Sequence, residues 1–84
     1  MPTDAEIQNQ IETLEQEQHR LREREGEPEP DPTLAQDAAR IEEIRVDLEV
    51  LWDYLRQRRA LAEAGEDPEG AAPRSPETIE RYWQ

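Results

Sequence analysis

The sequence contains no cysteine, no phenylalanine and no lysine, and only three of its 84 residues are glycine. Without cysteine, disulfides, thiolate chemistry and cysteine-ligated zinc sites are excluded. No apolar run approaches the roughly 20 residues that a membrane-spanning helix needs. The first ten residues are polar and acidic, unlike a secretory signal peptide. The sequence therefore predicts a cytoplasmic location.

Apolar residues are also scarce. They make up 33% of the chain, against roughly 45–50% in an ordinary globular domain. A substrate pocket needs a concave apolar lining, usually of several hundred Å³, and this composition can hardly supply one. We therefore expect no catalytic activity, no cofactor and no metal ion.

Charge of one sign dominates what is present. The chain has 22 acidic and 10 basic residues, which give a net charge of −12. Because no long basic stripe occurs, direct binding to nucleic acid is disfavoured, and anionic membranes would repel the chain. The acidity alone leaves open the hypothesis that the protein is a decoy for a basic nucleic-acid-binding protein.

Two long helices are predicted, at residues 3–25 and 33–64. In the first, Thr3 and Glu6 have the spacing of a capping box. Heptad spacing then predicts one apolar stripe on each helix. Glycine ends each helix, and the proline-rich linker 27–32 between them has a length that suits an antiparallel pair.

A short helix is predicted at residues 76–83, after a loop at 65–75. Ser75 and Pro76 have the order of an N-cap followed by a first-turn proline. Ile79, Tyr82 and Trp83 fall on one face of this helix. The predicted fold is therefore all-α: an antiparallel helical hairpin, similar to a coiled coil, with a short C-terminal helix, all in one domain.

The second helix has more apolar surface than one partner helix would cover. A second stripe runs beside the first and consists of Val46, Val50, Tyr54 and Leu61, and Trp52 flanks the first stripe. Three occupants are open: the C-terminal helix, a second copy that would complete a four-helix bundle, or a different protein.

The second helix also carries the single basic cluster of the sequence, Arg56, Arg58 and Arg59. It lies in the last turns, 56–64, which we expect to overhang the first helix. Arginine at this position can recognise a carboxylate or phosphate, or it can simply offset the dipole at the helix C-terminus. The candidate interaction residues are these arginines and the aromatics: Trp52, Tyr54, Arg56, Arg58, Arg59, Tyr82 and Trp83.

The segment 48–60, Leu-Glu-Val-Leu-Trp-Asp-Tyr-Leu-Arg-Gln-Arg-Arg-Ala, carries a family resemblance, which extends to 17–22, 65–68 and 80–84. The chain resembles short acidic proteins, largely actinobacterial, that are grouped as a domain of unknown function. The resemblance implies a bacterial cytoplasmic protein and no particular activity. It draws attention to Trp52, Asp53 and the arginine cluster.

The sequence thus predicts an adaptor or regulatory protein that binds a protein partner, itself, or both. The end of the second helix and the aromatics would supply the contact. The main alternative is a purely structural self-assembling bundle, such as a homodimer, without a further ligand.

Overall fold

A computed structural model describes residues 3–25 and 34–82. It contains three α-helices, α1 (Asp4–Glu25), α2 (Leu34–Glu63) and α3 (Pro76–Tyr82), and one 3₁₀ helix (Pro68–Gly70). No strand occurs among these residues, so the predicted all-α class is confirmed. The predicted linker 27–32 and Trp83 lie outside the described residues.

The start of α1 follows from its first residues. The Thr3 hydroxyl accepts a hydrogen bond from the Glu6 backbone N–H at 3.2 Å, and the Thr3 N–H donates to the Glu6 carboxylate at 3.4 Å. These two bonds form a capping box, which satisfies backbone donors that would otherwise lack a partner. The amide of Ile7 then begins the helical ladder by donating to the Thr3 carbonyl.

α1 and α2 pack against each other along their apolar stripes as an antiparallel hairpin. Ile7 and Ile11 of α1 form a buried cluster with Tyr54 and Leu55 of α2. Ile44, farther back along α2, is fully buried as well. The heptad spacing therefore predicted correctly which faces of the two helices meet.

Charged side chains join the two helices along the edges of this core. Glu17 of α1 accepts hydrogen bonds from Arg40 of α2. Near the C-terminus of α1, Arg24 Nε lies 3.4 Å from Asp37 Oδ2. Glu17 precedes Arg24 in α1, whereas Arg40, the partner of Glu17, follows Asp37, the partner of Arg24, in α2. This order of pairs is that of antiparallel helices.

α2 ends at a Schellman turn. Gly65 has a φ of 77°, a conformation that costs glycine less than any other residue. Its N–H donates to the Ala62 carbonyl at 3.1 Å, and the Glu66 N–H donates to the Leu61 carbonyl at 2.8 Å. The turn reverses the chain, so that the following residues return along α2.

The loop predicted at 65–75 contains a 3₁₀ helix, which the composition did not indicate. The Asp67 carboxylate accepts from the Glu69 N–H at 2.9 Å, and Pro68 occupies the first helical position. Farther on, the Ser75 hydroxyl accepts from the Thr78 N–H at 3.2 Å and caps α3. The segment thus contains one capped turn of 3₁₀ helix, and the irregular residues 71–75 connect it to α3.

Residues 66–82, here called the C-terminal arm, lie along α2. Both the 3₁₀ helix and α3 contact α2, so the C-terminal helix covers part of the surplus face of α2. Val46, Val50 and Leu61 of the predicted second stripe are half-buried.

The predicted overhang of residues 56–64 is wrong for its first residues. Arg58 reaches Asp4 in the first turn of α1, so α1 extends at least that far along α2. Beyond this point Gly70 of the arm approaches Leu61: a Cβ placed on Gly70 would lie 3.7 Å from Leu61 Cδ1. The Schellman turn thus brings the arm against one side of the last turn of α2, while the other residues of 59–63 are exposed.

Candidate functional site

Arg58 is a buried side chain that connects α2 to α1 and to the arm, not an exposed cation. Its side chain is 7% exposed, and its Nε donates to Asp4 Oδ1 at 2.7 Å. Its terminal nitrogens lie 3.4 and 3.5 Å from Glu69 Oε1 in the arm. Its guanidinium carbon lies 5.9 Å from the centre of the Tyr54 ring. The hydrogen bond to Asp4 is the main cause that raises the pKa of Arg58 above its ordinary range.

The predicted arginine cluster therefore divides. Arg58 is buried, whereas Arg56 and Arg59 are exposed. Tyr54, which the sequence placed on an outer stripe, is 7% exposed and belongs to the core with Ile7. Tyr54 and Arg58 are thus inaccessible to a partner in this fold, because α1 and the arm enclose their side of α2.

Trp52 is the large hydrophobic side chain that the described part of the molecule leaves exposed, at 39%. It lies in an open groove of about 520 Å³ between the three helices. The apolar part of the groove lining comes from Leu48 and Trp52 of α2 and from Ile79 of α3. The polar part of the lining comes from Gln18, Arg45, Glu49, Arg56 and Glu80.

Arg45 holds the carboxylates at one edge of the groove. It donates to the Glu42 carboxylate through Nε and Nη2, the shorter contact being 2.7 Å, and to Glu49 Oε1 at 2.7 Å. The hydrogen bond from Arg45 lowers the pKa of Glu42. The hydrogen bond to Glu42 is the main cause that raises the pKa of Arg45, and the charge of Glu80 of α3 adds to it. One arginine thus faces three carboxylates, and Glu49 Oε2 is buried without a hydrogen-bond partner among the described residues, so this edge keeps a net negative charge.

A second polar cluster fixes the arm on α2 and was not predicted. Asp53 is only 8% exposed, although it follows Trp52 on a side of α2 that points away from the core residue Leu55. Its Oδ2 accepts from Gln57 Nε2 at 3.0 Å and lies 3.4 Å from Arg74 Nε. Gln57 Nε2 also donates to the carbonyl of Ala72 at 2.8 Å.

Sequence pattern alone could not identify this cluster. On a helical wheel Gln57 lies within the second apolar stripe, three residues after Tyr54 and four before Leu61. Asp53 lies at the edge of the same stripe, three residues after Val50. Helical spacing gives these positions but not which groups of the arm lie opposite them. The one signal that included Asp53 was the family resemblance at 48–60. Of the remaining candidate residues, Tyr82 is the last residue of α3, and the side chains of Tyr82 and Trp83 lie outside the described part of the chain.

Within residues 3–25 and 34–82, no group of three His, Cys, Asp or Glu side chains is arranged to hold a metal ion. No helix there combines the length and the apolar character required to cross a membrane. His19 Nε2 lies 3.0 Å from Glu23 Oε1, one turn away on the exposed side of α1.

A family profile described as "protein of unknown function (DUF2630)" matches residues 3–84. The chain belongs to this family. The resemblance identified from the sequence is thereby confirmed, and the match includes the hairpin and the arm. Members of the family are described without an activity, so the profile assigns no chemistry to the groove.

Two mycobacterial proteins are similar to part of this chain. An uncharacterized protein of Mycobacterium bovis and one of Mycobacterium tuberculosis are each 38% identical to the chain over 48 residues. The aligned stretch covers 57% of this chain and 55% of each relative, so the chain spans about half the length of the curated relatives it matches. No solved structure matches the chain.

Proposed function

We propose that this chain is a cytoplasmic protein–protein interaction protein without catalytic activity, and that the groove around Trp52 is its binding surface. The observation that carries the proposal is the exposure of Trp52 in a groove of about 520 Å³ whose apolar lining comes from two helices. Tryptophan is among the residue types most enriched at binding hot spots. Leu48 and Ile79 flank it and would exclude water from a seated side chain.

The lining favours an apolar segment of a partner over an anionic one. Arg45 is already bound by Glu42 and Glu49, so an anionic ligand would have to compete with these contacts. An apolar side chain, or the apolar face of a short helix, would instead bury area on Trp52 without breaking an ion pair. Such helix-in-groove recognition is a common mode of peptide binding.

The proposal is tested by site-specific photo-crosslinking in the native cells. A benzophenone amino acid is placed at position 18, where Gln18 lines the groove opposite Trp52, and at position 43 as a control. Glu43 is exposed on α2 and does not line the groove. We expect one adduct of defined mass with a foreign protein from position 18 and none from position 43.

Two other results would contradict the proposal. Equal adducts from both positions would indicate random encounter rather than binding in the groove. An adduct of twice the mass of the chain, obtained only from position 18, would favour the self-assembling bundle instead. Self-assembly and the acidic decoy stay predictions from the sequence, because no feature of the groove favours either of them.

A further inference from the structure

The groove depends on a segment that is held to the hairpin by polar contacts together with the buried side chain of Ile79. Ile79 and Glu80, which line one side of the groove, both belong to the C-terminal arm. Ile79 is the buried apolar side chain of the arm, at 3% exposed, and Ala71 packs partly against the core cluster. The other contacts of the arm described above are ion pairs and hydrogen bonds.

These polar contacts are concentrated on little more than one turn of α2. Asp53 faces Arg74, Gln57 binds the carbonyl of Ala72, and Arg58 faces Glu69. Asp53 is nearly buried, so the arm removes its carboxylate from water and must supply donors in return. The contacts therefore act as a set that is made when the arm docks and lost when it leaves.

We infer that Asp53, Gln57 and Arg58 form a latch that docks the C-terminal arm, and that the latch controls whether the groove exists. This inference concerns regulation of the groove and rests on the proposed function. When the arm undocks, Ile79 leaves and one side of the groove is lost. A partner that needs this side binds only the docked state, and its binding in turn stabilises docking.

Undocking of the arm and unfolding of α3 are expected to be one event. α3 has seven residues, far fewer than the roughly 12–15 that an isolated helix needs for marginal stability in water. Once separated from α2, its backbone amides lose protection from hydrogen exchange. Exchange in the arm therefore reports the docked population without any partner.

The test weakens the latch in the full-length chain with Arg74→Gln. Arg74 lies in the arm, outside the core between α1 and α2, so the hairpin remains folded. Arg59→Gln, which removes the same charge from an exposed position on α2, is the control. We expect exchange of the α3 amides to rise about two- to fivefold in Arg74→Gln, as loss of a partly exposed ion pair predicts.

The same variant is then combined with the crosslinker at position 18. If docking controls the groove, the yield of the foreign adduct falls as the docked fraction falls, while exchange in α1 and the yield in Arg59→Gln stay unchanged. Unchanged α3 exchange in Arg74→Gln would overturn the latch.

Faster α3 exchange with an undiminished adduct would overturn the coupling and leave the proposed function intact. Absence of an adduct in the otherwise unaltered chain would remove the proposed function, and the coupling with it.

Discussion

α2 packs on two sides, and the two interfaces differ in kind. Toward α1 it presents side chains that are completely buried, such as Ile44 and Leu55 at 0% exposed. Toward the arm it presents Asp53 and Gln57, which meet Arg74 and a backbone carbonyl. The first interface is stabilised by removal of apolar area from water, the second by polar groups that water could also satisfy.

The difference indicates two levels of stability in one small chain. Water offers apolar side chains no interaction that replaces their burial, so the hairpin is expected to stay packed in the folded chain even when the arm opens. Polar contacts exchange protein partners for water at little net gain, so the arm is expected to open more easily than the hairpin unfolds. Arg58 is the residue that belongs to both interfaces, since it binds Asp4 and Glu69.

The largest effect is expected from a cavity in the hairpin core. Leu55→Ala should lower the free energy of unfolding by about 3 kcal/mol, within the range for buried leucine. This loss is a large part of the total for a domain of this size. Urea unfolding followed by circular dichroism measures it. Leu61→Ala, at a half-buried position beneath the arm, is the matched control and should cost clearly less; equal losses would erase the distinction between the interfaces.

The second effect comes from the shared residue. Arg58→Gln should lower the melting temperature and also accelerate exchange in the arm, because it leaves Asp4 and Glu69 without their common partner. The drop in melting temperature should be smaller than that of Leu55→Ala. Arg59→Gln, exposed and adjacent, should change neither quantity. A change in only one of the two quantities would assign Arg58 to a single interface.

The third effect separates the two interfaces. Ile79→Ala should release the arm, seen as fast exchange at residues 76–82, while the urea midpoint of the hairpin changes little. The stability lost in Ile79→Ala cannot exceed the free energy of docking, because once the arm is undocked the substitution has no further effect on it. A drop in hairpin stability comparable to that of Leu55→Ala would mean that the arm and the hairpin unfold as one unit.

The same contrast explains what the sequence could predict. The caps at Thr3 and Ser75 and the core positions Ile7, Ile11 and Leu55 follow from local rules, because a helix period decides which faces meet. The burial of Asp53 does not follow from such rules. It depends on where the arm crosses α2, and the arm begins in a segment whose composition indicates only a loop. The sequence placed Tyr54 outside the core for the same reason. Helical spacing gives the angular position of Tyr54 around α2, but it does not give how much of the α2 surface α1 and the arm cover.

The smallest effect concerns acid sensitivity of the hairpin. The hydrogen bond from Arg40 lowers the pKa of Glu17 below its ordinary value of 4.5. A carboxyl group whose pKa is lowered by folding stabilises the folded state above its unfolded pKa, and that contribution is lost as the pH falls through the folded value. The pair is solvated, so its contribution at neutral pH is small.

Glu17→Gln should therefore lower the melting temperature slightly at pH 7, and this loss should shrink toward pH 3 as Glu17 becomes protonated. Glu12→Gln, exposed on the same helix, is the control for loss of one negative charge from an acidic protein. If the difference between Glu17→Gln and the unaltered chain were the same at both pH values, the contact with Arg40 would act through packing rather than charge. The hairpin would then owe its stability to its apolar stripes alone, which would make the contrast with the polar latch of the arm sharper still.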